Sequence, residues 1–227
     1  MLVAGFIIIA AIGYLLGSIP FGLIVSKWKA NIDIRKYGSG RTGGTNVLRT
    51  MGKKAFLIVA FLDIFKGAIA VIIAGLIFHP LFGQDYLIVG NSGLGLIFAQ
   101  VIAALAAMAG HIWPIFLKFK GGRGVATFFG GLIALYPPAG LIGGEAVIIG
   151  AGLSGFASLG SIIGVVGAYA VLVPLTLIYG FPIEYLGYTL IGTLLILFVH
   201  RGNIRRLLSG KERRLNQKAE QPPTQPA

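Results

Sequence analysis

Long apolar runs separated by short polar segments make up most of this chain. Several runs extend about 20 residues with few or no charges, enough for a helix to cross a hydrocarbon core. They place spans near 2–26, 55–78, 92–111, 124–136, 138–154, 157–179 and 183–200. The expected fold class is therefore an all-α membrane protein, a polytopic bundle of about seven transmembrane helices. Pro137–Pro138 separates the fourth and fifth runs, and the fourth is short. In the alternative reading these two form a re-entrant pair, leaving five full spans. Leu2 to Val25 carries no charge and no basic segment precedes it, which argues for a retained span rather than a cleaved signal peptide. Gly160-Ser161-Ile162-Ile163-Gly164 spaces small residues four apart, a pattern that lets membrane helices approach closely. The membrane domain is expected over 1–210. Residues 211–227 are polar, end in QPPTQPA and are expected to form a disordered tail.

Composition supports the membrane class and removes several chemistries. The chain is 56% hydrophobic and 11% charged, whereas soluble domains are about a quarter charged. It has no cysteine, so disulfides, thiolate metal sites and cysteine nucleophiles are absent. Three scattered histidines make a poor ligand set, and no metal or cofactor is expected. A formal net charge of +12 would suggest nucleic acid in a soluble protein. In a membrane protein it follows from topology and attraction to anionic lipid, so no nucleic-acid partner is expected.

The basic residues fall in three segments. Residues 27–54 hold eight, 118–123 hold three and 201–218 hold seven, which leaves only Lys66 of the 19. The other connections, around 79–93, 136–140 and 180–185, hold none. Lys and Arg are enriched on the cytoplasmic side, so all three segments are expected to face the cytoplasm, with the N-terminus outside. Either span count is odd and gives the same sidedness.

The first basic segment contains KYGSGRTGGTNVLRTMGKK, residues 36–54. Gly38, Gly40 and Gly43 fit G-x-G-x-x-G, but membrane runs replace the strand and βαβ unit that a dinucleotide site needs. The physics of anion binding does not require that fold. Glycines let successive backbone N–H groups form an anion-binding nest. A short helix is expected over 47–51, with Asn46 or Thr45 as its cap and its first amides facing an anion. Ser39 and Thr45 add hydroxyls, while Arg35, Arg41 and Arg49 add guanidinium forks suited to phosphate. Gly40, Gly43 and Gly44 complete this candidate phosphate loop. A second segment, FKGGRG at 119–124, again joins cations to glycines through Lys120, Gly121, Gly122 and Arg123. Two such loops on one membrane face suit one ligand with two anionic groups, or two ligands. In the third segment, His200 and Asn203 stand three apart and share a helix face. Arg201, Arg205 and Arg206 read as charges that stop transfer.

Together these segments resemble the acyl-phosphate:glycerol-3-phosphate acyltransferases, the PlsY family of bacterial membrane enzymes. The resemblance runs through YLLGSIPFG (14–22), DIRKYGSGRTGGTNVLRTMGKKA (33–55), LDIFKG (62–67), GHIWPIFLKFKGGRGVAT (110–127), SLGSI (158–162) and HRGNIRRLLSGKE (200–212). It implies a seven-helix enzyme with its active site at the cytoplasmic face. The implied reaction moves a fatty acyl group from acyl phosphate to the 1-hydroxyl of glycerol 3-phosphate, giving lysophosphatidic acid and phosphate for phospholipid synthesis. It also implies contact with the soluble enzyme that makes acyl phosphate. Carried over by residue, the resemblance makes Ser39, Thr45 and Arg49 phosphate-binding positions, Ser158 a further polar position, and His200 and Asn203 a polar pair. Arg49, Ser158, His200 and Asn203 are thus the expected catalytic set. Three positions depart from the family pattern: Arg41 replaces Asn, Arg123 replaces Lys, and Gly202 replaces Glu. They point to a paralogue with a different acceptor as an alternative.

Few groups are available as bases: Asp33, His111, His200 and, further along, Glu212. An acyl phosphate is already activated, so holding two anions together is the main requirement, and positioning alone supplies roughly 7–11 kcal/mol. Asp63 and Lys66 lie three apart inside a span, where an internal ion pair is the expected role. A transporter of phosphorylated anions would share the spans and the basic face. It would, however, show interrupted helices at midplane and repeated halves.

Overall fold

A computed structural model describes residues 2–82 and 94–219 of the chain. Most of the connection near 79–93, which holds no Lys or Arg, and residues 220–227 of the tail, lie outside the described residues. The helices are α1 (Leu2–Ser18), α2 (Phe21–Ala30), α3 (Gly44–Met51), α4 (Lys53–Phe82) and α5 (Leu94–Ile112). They continue as α6 (Val125–Leu135), α7 (Pro137–Ser154), α8 (Ala157–Tyr179), α9 (Ile183–Val199) and α10 (Arg201–Leu208). Among the described residues there is no strand, and the predicted apolar runs are helical there, except that the first, 2–26, is broken at Ile19–Pro20 into two helices. Residues 2–30, 53–78, 95–117 and 157–179 are long and apolar enough to cross a membrane. A fifth crossing results if α9 and α10, bent by 62°, are taken as one span.

The breaks have local causes. Pro20 has no N–H to continue the ladder of α1, so a second helix starts at Phe21. Pro137 occupies the first position of α7, where a missing N–H costs nothing, and extended Tyr136 separates it from α6. Although short, α6 is the most enclosed helix, with Thr127, Phe128, Phe129, Gly130, Gly131 and Leu132 all buried. It packs on α4, α5, α7 and α9. Phe128 stacks on Tyr188 of α9 with ring centroids 5.2 Å apart, and the Tyr188 hydroxyl donates to the Phe128 carbonyl at 2.8 Å.

Glycine sets the closest approaches. Gly160 and Gly164 of α8 face Val147 and its neighbours on α7, as the small-residue spacing predicts. Gly130 of α6 lies directly against the backbone carbonyl of Ile64 on α4, where a Cβ would overlap the oxygen. Gly130→Ala is expected to force these helices apart and destabilise the bundle by about 1–3 kcal/mol. Thermal unfolding in detergent, compared with the wild type, checks this.

One buried polar cluster lies within the bundle. Lys66 Nζ is 2.8 Å from Asp63 Oδ1, and both side chains are 3% exposed. Lys66 also donates to the Ile19 carbonyl at 2.9 Å, in the break between α1 and α2. His111 of α5 stands beside them, its Nδ1 3.4 Å from Asp63 Oδ1. The internal ion pair expected from the sequence is therefore present, and it ties three segments together.

Candidate active site

The three basic segments meet at one cavity of about 440 Å³. The glycine loop supplies Gly38, Ser39, Arg41 and Arg49, and the second loop supplies Arg123. The end of α9, all of α10's basic face and the following turn supply Val199, Arg201, Gly202, Asn203, Arg205, Arg206, Glu212 and Arg213. Seven guanidinium groups thus face one space, and Glu212 is the single acid among its lining residues.

The glycine loop is built differently from the expected nest. Gly38 and Gly40 have positive φ, 54° and 69°, which turns the chain tightly. The amide of Ser39 donates to Asn46 Oδ1, and that of Gly40 donates to the Tyr37 carbonyl. In the second loop, Gly121 donates to the Ile112 carbonyl and Gly122 to that of His111. These four amides are therefore satisfied within the protein and are not free to hold an anion. The glycines serve close approach instead. A Cβ on Gly122 would overlap the His111 ring, and one on Gly121 would overlap the His111 carbonyl oxygen.

Asn46 corrects a second expectation. α3 starts at Gly44, earlier than the sequence suggests, with Gly43 as its N-cap and no side-chain cap. Asn46 is therefore inside the helix, and its side chain folds back into the preceding loop. Its Nδ2 donates among the carbonyls of Ile34, Tyr37 and Arg41 at 3.1, 3.1 and 2.9 Å. Its polar atoms organise the loop and do not line the cavity. Thr45, Gly43, Gly44 and Gly40 likewise do not line it. Arg35 is drawn aside by Asp33, whose carboxylate it meets at 2.7 Å. That bond holds Asp33 down at about 2, so Asp33 is an anion anchored on Arg35. Lys120 is exposed away from the cavity lining.

Arg123 is the most exposed to electrostatic need. Among the described residues it has no side-chain hydrogen-bond partner, and its Nε is buried. Loss of hydration, followed by repulsion from Arg41, lowers its guanidinium to about 10. Arg41 reaches across from the first loop, donating from Nη1 to the Gly122 carbonyl at 3.0 Å. Arg49 is turned toward the chain after α10, donating to the carbonyls of Arg213 at 2.7 Å and Arg214 at 3.2 Å.

The expected polar pair is split in its surroundings. Asn203 lines the cavity, whereas His200 is 1% exposed and does not. His200 Nδ1 lies 2.8 Å from the Ile196 carbonyl, which can only accept, so Nδ1 carries the proton. Ser158 is buried behind the lining and donates to Glu212 Oε1 at 2.9 Å.

The expected loose tail is ordered over its described part. Glu212 accepts from Ser158, from Asn203 Nδ2 at 2.6 Å and from Arg206 Nε at 2.7 Å. Burial alone would raise its carboxyl, but these three bonds outweigh burial and lower it. Beyond it, the Leu215 amide donates to the Gly155 carbonyl and the Ala219 amide to that of Arg49. The tail composition is polar, but its charged groups find fixed partners across the cavity. Arg205, Arg206 and Arg213 were not among the residues the sequence marks for the site, and Glu212 was marked only as a distant candidate base. The available signal was that Glu212 is the sole acid in a basic segment, residues 198–219.

A helical membrane bundle that gathers arginines around a cavity at one end defines an integral membrane protein built to bind anionic molecules. A sequence model of the family described as glycerol-3-phosphate acyltransferase matches residues 7–210. The chain is 65% identical over 219 residues to "Glycerol-3-phosphate acyltransferase 3" of Dehalococcoides mccartyi (strain CBDB1), covering 96% of this chain and 100% of the relative. It is 40% identical over 214 residues to the glycerol-3-phosphate acyltransferase of Parasynechococcus marenigrum (strain WH8102), covering 94% and 91%. Its fold is similar to the crystal structure of PlsY, an integral membrane glycerol 3-phosphate acyltransferase, in its glycerol 3-phosphate form. That match has a TM-score of 0.76 and 35% identity, covering 92% of this chain and 94% of PlsY. The lysophosphatidic acid form of PlsY matches with a TM-score of 0.75. This chain belongs to the glycerol-3-phosphate acyltransferase family.

Proposed function

We propose that this enzyme transfers a fatty acyl group from acyl phosphate to the 1-hydroxyl of glycerol 3-phosphate. The products are lysophosphatidic acid and inorganic phosphate. The observation that carries this reading is Arg123, a half-buried cation whose Nε is buried without a partner among the described residues, facing a cavity that Arg41 and Arg49 share. A buried unpaired charge is costly, and a phosphate dianion offsets that cost in a fork-shaped hydrogen-bond geometry. Both substrates carry such a group.

In the reaction the hydroxyl oxygen bonds to the acyl carbon, and the bond from that carbon to the phosphate oxygen breaks. The leaving phosphate departs with the electron pair of that bond. The hydroxyl proton passes to a phosphate oxygen, whose second pKa near 6 suits the transfer. Guanidinium groups fixed around the leaving group and the developing oxyanion act without reorganising at the moment of reaction, and one such donor is worth about 2.7–4 kcal/mol. Arg49 and Asn203 remain the proposed contacts in the site, with Ser158 supporting it and His200 orienting the end of α9. Because His200 lies behind the lining, His200→Ala is expected to retain turnover within about tenfold of the wild type. Complete loss of turnover with glycerol 3-phosphate binding intact would instead make His200 the base.

The direct test is purified protein with palmitoyl phosphate and radiolabelled glycerol 3-phosphate. Labelled lysophosphatidic acid supports the proposal; uptake of the label into proteoliposomes without acylation would defeat it. The proposed setting is the inner membrane, with residues 1–210 as the acyltransferase domain, the N-terminus outside and the cavity cytoplasmic. A soluble acyl-phosphate-forming enzyme then reaches the cavity from the cytoplasm.

A further inference from the structure

A cavity walled by arginines recognises phosphate, but orienting a hydroxyl acceptor also needs a group that accepts a hydrogen bond from it. Guanidinium groups only donate. Among the side chains lining this cavity, the acceptors are Ser39, Asn203 and Glu212. Two of these are joined. Asn203 Nδ2 lies 2.6 Å from Glu212 Oε1. An ionised carboxylate cannot donate, so it fixes which end of the Asn203 amide faces it: the NH2 group turns toward Glu212 and Oδ1 turns away. Ser158 donates to the same oxygen at 2.9 Å, and Arg206 holds the other at 2.7 Å. Glu212 itself is held on a strap, because the carbonyls of the next two residues are bound by Arg49.

We infer that Glu212 is a positioning and specificity-determining residue that marks the hydroxyl end of the acceptor site. Its carboxylate orients Asn203 as an acceptor and repels phosphate from that wall. The acceptor's phosphate is thereby directed to the arginines, and its alcohol to the Asn203–Glu212 wall, where the acyl group is delivered. This rests on the acyl-transfer chemistry proposed above.

Without the carboxylate, Asn203 is free to flip and the wall no longer excludes phosphate. Anions then bind at least as well but in unproductive orientations. A residue that merely held the fold would instead raise KM and lower thermal stability together when replaced.

The test compares wild type, Glu212→Gln and Glu212→Asp in the full chain, purified in detergent, using palmitoyl phosphate and glycerol 3-phosphate. Inorganic phosphate serves as the inhibitor. For Glu212→Gln, kcat is expected to fall about tenfold or more with KM for glycerol 3-phosphate unchanged or lower. Its inhibition by phosphate is expected to tighten about threefold or more, because a negative charge has left the cavity. Glu212→Asp retains the charge on a shorter arm. Its kcat falls, while its phosphate inhibition stays within about twofold of the wild type. The inference is overturned if Glu212→Gln matches the wild type in both kcat and phosphate inhibition. It is equally overturned if Glu212→Asp shows the same tightening by phosphate. If Glu212→Gln does not elute as a folded protein, Glu212→Asp decides alone: undiminished kcat overturns the inference. Absence of acylation by the wild type would overturn the reading on which it rests, a result distinct from all of these.

Discussion

Replacing Arg123 with methionine is expected to lower kcat/KM for acyl transfer by about 10²–10³-fold. Methionine fills comparable space with an unbranched apolar chain, so packing is largely retained. What is lost is the guanidinium, whose Nε has no partner among the described residues. In the free enzyme this charge is a liability, since burial and the neighbouring Arg41 both disfavour it. Arg123→Met should therefore be at least as stable as the wild type without ligand. The difference appears on adding inorganic phosphate. A ligand at 100 times its Kd stabilises the folded state by about 2.7 kcal/mol, and the variant should lose most of that shift. Arg123→Lys tests geometry separately from charge. A lysine restores the cation but not the planar fork, so an intermediate kcat/KM is expected. Steady-state kinetics and thermal unfolding with and without phosphate provide the measurements. An Arg123→Met enzyme of undiminished kcat/KM would remove the main support for the cavity as the phosphate site.

The second large effect concerns stability. Asp63→Asn leaves Lys66 buried without its counter-ion, and breaking a buried pair in this way costs about 3–5 kcal/mol. The same change disturbs His111, which contacts Asp63 and whose backbone carbonyl holds the Gly122 amide. The loop that carries Arg123 therefore loosens together with the bundle. Removing both charges, as Asp63→Leu with Lys66→Met, should recover most of the stability, because no unpaired charge remains. The Ile19 carbonyl then loses its bond from Lys66 but keeps the one from the Phe21 amide, which leaves a residual cost of only about 0.5–1.5 kcal/mol. Unfolding midpoints of the single and double variants separate these contributions. A double variant that folds as well as the wild type yet has no activity would show that the pair acts on the site and not only on the fold.

Much of the fold was legible because membrane helices follow from one-dimensional quantities. Apolar length predicts where a helix crosses, and Pro137 and Pro138 mark where two helices part, whereas the break at Pro20 inside the expected first span was not read from the sequence. The clustering of Lys and Arg similarly foretold that segments far apart in sequence share one end of the bundle, and Arg49 and Arg123 do line one cavity. The small-residue spacing at Gly160 and Gly164 correctly marked a tight helix contact.

Glycine loops were less legible, because a glycine serves two different purposes. The sequence pattern suits an anion nest, but a nest needs unoccupied amides. Those of Ser39, Gly40, Gly121 and Gly122 are occupied by carbonyls and by Asn46. Which use prevails depends on what packs against each glycine, and His111 decides that for Gly121 and Gly122. Asn46 was misplaced for a related reason: α3 began earlier, so a residue suited to capping became a buried brace.

By itself, then, the sequence determined the membrane class, most of the helical segments and the basic character of one end of the bundle, since hydropathy and charge are properties of residues. Tertiary structure alone decided which polar groups face the cavity. Arg35 is neutralised by Asp33, His200 turns inward, and Glu212 returns from an apparent tail to bind Ser158 and Asn203. Each of these outcomes is a competition among hydrogen-bond partners distant in sequence. Such competitions are settled only when folding brings the partners within about 3 Å of one another.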